Sequence, residues 1–119
     1  MNICEELKMK PDELSNVLFD TFYREIPTSF ETSEDLNRIG ELMAESVNQY
    51  SYLTNLLNQA ENQWRFLQYD KKNHAKEFYD ALDRKTVINR TLDMVKLRQK
   101  TLSRLITIKQ INNQEISMY

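Results

Sequence analysis

Between Arg84 and Lys109 the chain carries eight basic residues against a single acid, Asp93. Three of them, Lys96, Lys100 and Arg104, recur at every fourth position, a spacing that lines side chains up in one row along a helix. Arg90 lies beside that row, and Lys109 continues the basic segment beyond it. Cations without interleaved carboxylates suit a polyanion, because each Lys or Arg that meets a phosphate releases condensed counterions and gives affinity with no sequence preference. Arg90, Lys96, Lys100, Arg104 and Lys109 are therefore the candidate nucleic-acid-binding set. The competing roles for the same residues are docking on an acidic protein surface, neutralising the acidic N-terminal half of the chain, and plain solvation.

Other chemistry is thinly provided for. His74 is the only histidine, with Asp70 four residues before it and Glu77 three after, whereas a metal site draws three or four ligands from His, Cys and carboxylates. A solvated or turn-associated histidine is the stronger reading. Cys4, the only cysteine, has no partner for an internal disulfide and reads as an incidental thiol. The sequence has no second His or Cys to complete a nucleophilic dyad. Its one glycine could build neither a G-x-x-x-x-G-K-[ST] nor a G-x-G-x-x-G loop. The expectation is a non-enzymatic protein without metal or cofactor. Among the aromatic residues, Tyr50, Trp64 and Phe78 fall on the hydrophobic seam of the long helices and read as core, while Tyr52, Phe66, Tyr69 and Tyr79 lie off it and are free to meet a partner.

The elements that must position these residues follow from composition. In 119 residues there are one Gly and two Pro, too few tight-turn residues for a multi-stranded sheet, so the fold class is all-α. Hydrophobic residues make up 40% and charged residues 29%, enough to bury a core, and a mean hydropathy of −0.67 is too polar for a membrane span. With no secretory signal and a lone cysteine, the expected location is the cytoplasm. The net charge of −2 conceals a gradient: residues 1–60 hold four Lys/Arg against eleven Asp/Glu, and residues 61–119 hold twelve against seven.

Pro11 followed by Asp12 and Glu13 marks a helix start, and Leu14, Val17, Leu18 and Phe22 follow at helical spacing. The pattern predicts a short helix over 12–25, stopped before Pro27. A connector over 27–33 leads to Thr32 or Ser33 as N-cap, with Glu34 and Asp35 in the first turn. From there a heptad seam in steps of four and three runs through Ile39, Met43, Ser46, Tyr50, Leu53, Leu57, Ala60, Trp64, Leu67, Lys71, His74, Phe78, Ala81, Lys85, Ile88, Leu92, Val95, Gln99, Leu102 and Ile106. Fifteen of these twenty are apolar, which argues for coiled-coil-like packing. Leu36, Val47, Leu82 and Leu105 flank the seam. The reading is one domain over 1–119, with a long antiparallel helical hairpin over 34–114, able to oligomerise through leftover apolar surface. Two turns are open to it, at 70–74 and at 83–86. The first places Leu57 opposite Ile88, Met43 opposite Leu102, and Ser46 in a polar layer with Gln99.

The layout of a short acidic N-terminal helix, a long helix around Tyr50-Ser51-Tyr52-Leu53-Thr54-Asn55-Leu56-Leu57, and a basic closing helix from Arg90-Thr91-Leu92-Asp93-Met94-Val95-Lys96 to Ser103-Arg104-Leu105-Ile106-Thr107-Ile108-Lys109 resembles the small phage recombination mediators of the UvsY type, over roughly residues 34–111. The resemblance is one of pattern and position. It implies a helical homo-oligomer that binds single-stranded DNA and helps load a RecA-like recombinase in place of a single-strand-binding protein, with Arg90, Lys96, Lys100, Arg104 and Lys109 in the closing basic helix. The alternative class is a helical protein-interaction module, such as a phage or bacterial adaptor, inhibitor or assembly factor.

Overall fold

The computed structural model describes residues 4–28 and 31–117, with side chains as far as Lys109. Its elements are a short 3-10 helix, Glu5–Lys8, then α1, Pro11–Phe22, α2, Ser33–Gln68, and α3, Ala75–Ser117. Helices α2 and α3 form an antiparallel hairpin, and α1 lies along one face of it, giving a rod of 72 × 22 × 21 Å. No strand occurs among the described residues, and no helix is long and apolar enough to cross a membrane.

Helix α1 starts where the sequence places it, with Pro11 at its first position and Asp12 and Glu13 in the first turn. It ends at Phe22, earlier than residue 25, because Tyr23 is already extended. The early stop lets the chain reach further: Ile26 packs against the Ile39, Leu42 and Leu102 cluster, and extended backbone covers about twice the distance per residue that helix does. Arg24 Nη1 donates to the carbonyls of Thr21 (2.9 Å) and Tyr23 (2.7 Å), satisfying the open end of α1. The expected connector over 27–33 falls partly outside the described residues, but its last part is clear. Thr32 is the N-cap of α2 and forms a reciprocal capping box with Asp35, side chain to backbone in both directions.

The hairpin turns at the first of the two candidate positions, between Gln68 and Ala75, and Asp83-Arg84-Lys85-Thr86 is internal to α3. No residue there adopts positive φ. Asp70 takes the place that glycine has in other turns: its carbonyl accepts from the Asn73 and His74 amides at 3.3 and 3.1 Å, and its carboxylate accepts from Asn73 Nδ2 at 2.8 Å. His74 stands beside the same carboxylate, Nε2 to Oδ2 at 3.5 Å, in an exposed turn. No group of three or more metal-ligating side chains occurs among the described residues.

Two apolar clusters fill the rod. The larger joins Leu7, Leu14, Leu18 and Phe22 to Leu53, Leu56 and Ala60 of α2 and to Ile88, Leu92 and Val95 of α3. The smaller joins Ile39, Leu42 and Leu102, with Ile26, Met43 and Ile106 packed against it. Burial of Ile39, Leu53, Ala60, Phe78, Ala81, Ile88, Leu92, Val95 and Leu102 follows the seam. Tyr50 departs from it, since α1 covers the opposite side of α2 and leaves that ring exposed. Lys71 and His74, which the uninterrupted seam would have placed inside, stand in the exposed turn.

Candidate nucleic-acid interface

The eight basic residues between Arg84 and Lys109 separate into groups with different jobs. Arg84 and Arg98 are buried, at 8% and 5% exposure. Each completes a layer across all three parts of the molecule. Arg84 Nη1 donates to the Met9 carbonyl and Nη2 to Gln63 Oε1, both at 3.1 Å. Arg98 donates from Nη1 to the Phe22 carbonyl at 2.8 Å, from Nε to Ser46 Oγ at 3.0 Å, and from Nη2 to Gln49 Oε1. Gln49 Nε2 in turn donates to Glu45, which pairs with Arg24 at 2.7 Å. The two layers repeat after fourteen residues on both helices, Gln63 with Arg84 and Gln49 with Arg98, a two-heptad interval of about 21 Å. Helix α1 lies between them, with Met9 preceding it at one layer and Phe22, its last residue, at the other.

Burial pushes both guanidinium groups below their ordinary pKa. Glu45 opposes that effect on Arg98 while Arg24 adds to it, and Asp80 opposes it on Arg84. Arginine starts so high that both stay charged at neutral pH. At Arg98 the charge also sits at the C-terminal end of α1, where the helix dipole favours a cation.

Lys85 is held on another side, with Nζ 4.5 Å from the Trp64 ring centroid and 3.9 Å from Glu61. That leaves the residues singled out from sequence. Lys96, Lys100 and Arg104 are exposed and share one face of α3, rising about 6 Å from one to the next. None of them, nor Arg90, takes part in an ion pair among the described residues. The acidic N-terminal segment therefore does not neutralise the row: it packs against the side of α3 that carries Arg84, Thr91 and Arg98, and Arg98 and Lys100 point about 160° apart on a helical wheel. Lys96 Nζ stands 5.9 Å from the Tyr50 ring centroid, which brings a half-open aromatic to the end of the row.

Two members of the candidate set stand apart. Arg90 lines a cleft of about 180 Å³ with Ser15, Phe19 and Met94, at the α1 edge. Lys109 is half-buried, and the five-residue step from Arg104 carries it about 140° around the helix, away from the row. The polar layer of Ser46 also has a different occupant from the one expected, because Arg98, not Gln99, donates to its hydroxyl.

Read by charge alone, Arg84 and Arg98 belong to one basic surface with the others. The signal that separates them is present in the sequence: 84, 88, 91, 95, 98 and 102 alternate in steps of four and three, in phase with Ile88, Val95 and Leu102. On α2 the matching row runs Leu42, Ser46, Gln49, Leu53, Leu56, Ala60 and Gln63. Both rows are second seams, and both face the N-terminal segment. That segment is fastened further by Gln63 Nε2 donating to the Leu7 carbonyl, the Cys4 thiol donating to Gln59, and the Tyr52 hydroxyl donating to Glu6 at 2.5 Å.

No protein-family model, curated protein or solved structure matches this chain.

Proposed function

We propose that the protein is a non-enzymatic accessory that binds single-stranded nucleic acid along α3, in the manner of a recombination mediator that hands a strand to a recombinase. The observation that carries this reading is the exposed row of Lys96, Lys100 and Arg104, unpaired among the described residues and turned away from the acidic N-terminal segment. Tyr50 beside Lys96 supplies a ring on which a base can stack, and a cationic track with an adjacent aromatic is the usual composition of a sequence-tolerant single-strand site.

Binding of a fluorescent oligothymidine tests it. Affinity should fall steeply with salt, with a log–log slope of roughly −0.7 per phosphate neutralised, so replacing Lys96, Lys100 and Arg104 together by Glu should flatten the slope by about 2. The fold should survive, because all three side chains are exposed. Absence of binding by the wild type at low salt, where electrostatic attraction is least screened, would overturn the reading.

A second reading, a protein-interaction module, is favoured by the hairpin tip. There Phe66 and Tyr69 are 77% and 92% exposed, and Lys71 Nζ lies 4.9 Å from the Phe78 ring and 5.3 Å from that of Tyr79. Large aromatics in water at one end of a rod suit an anchor in a partner's pocket. Phe66→Ala and Tyr69→Ala together should leave oligothymidine binding intact and abolish capture of a protein partner.

A further inference from the structure

The cationic row has neighbours on α3 that phosphate binding leaves unused. Leu97 and Thr101 each lie three residues before a cation of the row, Lys100 and Arg104 respectively. Side chains at that spacing adjoin on a helix, with Cβ atoms about 5–6 Å apart. Both residues line a cleft of about 430 Å³, within the range of small-molecule sites, roughly 300–1,000 Å³. Met94 and Arg98 of α3 also line it, and its other wall is the chain that follows α1, with Tyr23 and Ile26. Row and cleft thus share a border along α3.

The lining defines what fits. Tyr23 is 43% exposed and Leu97 66%, so two large apolar surfaces stand open to water. Phe19 stacks on the Tyr23 ring, with centroids 4.9 Å apart and planes at 17°, and no second aromatic among the described residues takes the other face of that ring. Arg98 uses one N–H each from Nε, Nη1 and Nη2 in its hydrogen bonds, which leaves one further N–H on each Nη. The Thr101 hydroxyl donates to the Leu97 carbonyl and keeps its own lone pairs free to accept. Charge in the lining cancels, since Arg24 is paired with Glu45 and Glu25 balances Arg98. Such a cleft suits a flat, neutral group with donors and acceptors on its edge, and not a phosphate.

We infer that the cleft takes a base of the single strand whose phosphates lie along Lys100 and Arg104. The inference rests on the nucleic-acid reading and adds to it a second place where a base is held. Tyr50 stands beside Lys96 on the α2 side of the row, and Tyr23 lies beyond Leu97 on the other side. The shared border selects a nucleotide over other flat neutral groups: an occupant tethered to a phosphate already on the row enters the cleft at a high effective concentration, whereas a free nucleoside gains nothing from the row.

Fluorescence anisotropy with oligothymidine and a fully abasic oligomer of equal length tests it. The phosphates are the same in both, so a loss confined to oligothymidine reports the bases. Tyr23→Ala should weaken oligothymidine about 10-fold, the scale of one lost stacked base, with its salt slope and the abasic affinity unchanged. Tyr23→Phe, which keeps the ring, should bind like the wild type. Leu97→Ala should show the same selective loss as Tyr23→Ala, and it decides the matter if circular dichroism shows that Tyr23→Ala has lost the wild-type fold. An oligomer carrying 5-iodouracil should photocrosslink to Tyr23. Unaltered oligothymidine affinity in the folded variants, an equal loss for both oligomers, or crosslinking confined to Tyr50 would overturn the cleft as a base site and leave the row standing. A wild type that binds neither oligomer at low salt would overturn the nucleic-acid reading and the cleft with it.

Discussion

Arg98 and Lys100 are two residues apart on α3, both cationic, both within the same basic segment, yet one is inside the molecule and the other in water. Arg98 donates three hydrogen bonds that tie α1, α2 and α3 together. Lys100 has no ion-pair partner among the described residues and is exposed to water. The comparison shows that charge density along a sequence is not itself a functional signal, because helical phase sorts the charges. In steps of four and three from Ile88, a cation joins the core and takes hydrogen-bond partners from α2 and the N-terminal segment. Half a turn away, the same residue type is free to bind an anion.

The largest test of this contrast is the removal of each side chain. Arg98→Ala strands the Phe22 carbonyl, Ser46 and Gln49 in a buried layer and should cost about 3 kcal/mol, lowering Tm by on the order of 10 °C. Lys100→Ala should stay within about 0.5 kcal/mol of the wild type. Equal melting temperatures for the two variants would erase the distinction.

Arg84→Ala should fall between them, at about 2 kcal/mol, since Arg84 makes two hydrogen bonds and its buried Nε has no partner to lose. If Arg84→Ala proved more damaging than Arg98→Ala in a urea titration, the two layers would not be ranked by their hydrogen bonds. A smaller effect belongs to the start of α2. Thr32→Ala removes one half of the capping box and should cost about 1 kcal/mol by the same measurement.

The smallest expected effect concerns how the N-terminal segment is fastened. Partial burial, followed by the Glu6 hydrogen bond and charge, pushes the Tyr52 hydroxyl up to about 12 from an ordinary 10. The folded-state value is the higher one, so this contribution to stability is complete below pH 10 and is lost as the pH rises through 12. Spectrophotometric titration at 295 nm should show one tyrosine lagging the others, and Glu6→Gln should bring it back toward them. An unchanged lag in Glu6→Gln would assign the shift to burial alone.

The all-α class, the hairpin, the Pro11 start of α1 and the Thr32 cap were legible because they rest on local properties: helical periodicity, proline geometry and side-chain capping between residues three apart. Tertiary structure decided the rest. The turn at 69–74 contains no glycine and depends on Asp70 accepting from residues three and four ahead, a pattern that only becomes distinctive once the helices on either side are antiparallel. Likewise, the exposed row of Lys96, Lys100 and Arg104 was visible as a spacing of four. What placed Arg84 and Arg98 inside was the arrival of α1 on one side of the hairpin. A carbonyl at Met9 and another at Phe22 gave those two guanidinium groups partners 75 and 76 residues away. Periodicity alone reports that a position faces something. Whether that something is water, another helix or a buried acceptor depends on contacts between distant segments, and those exist only once the chain has folded.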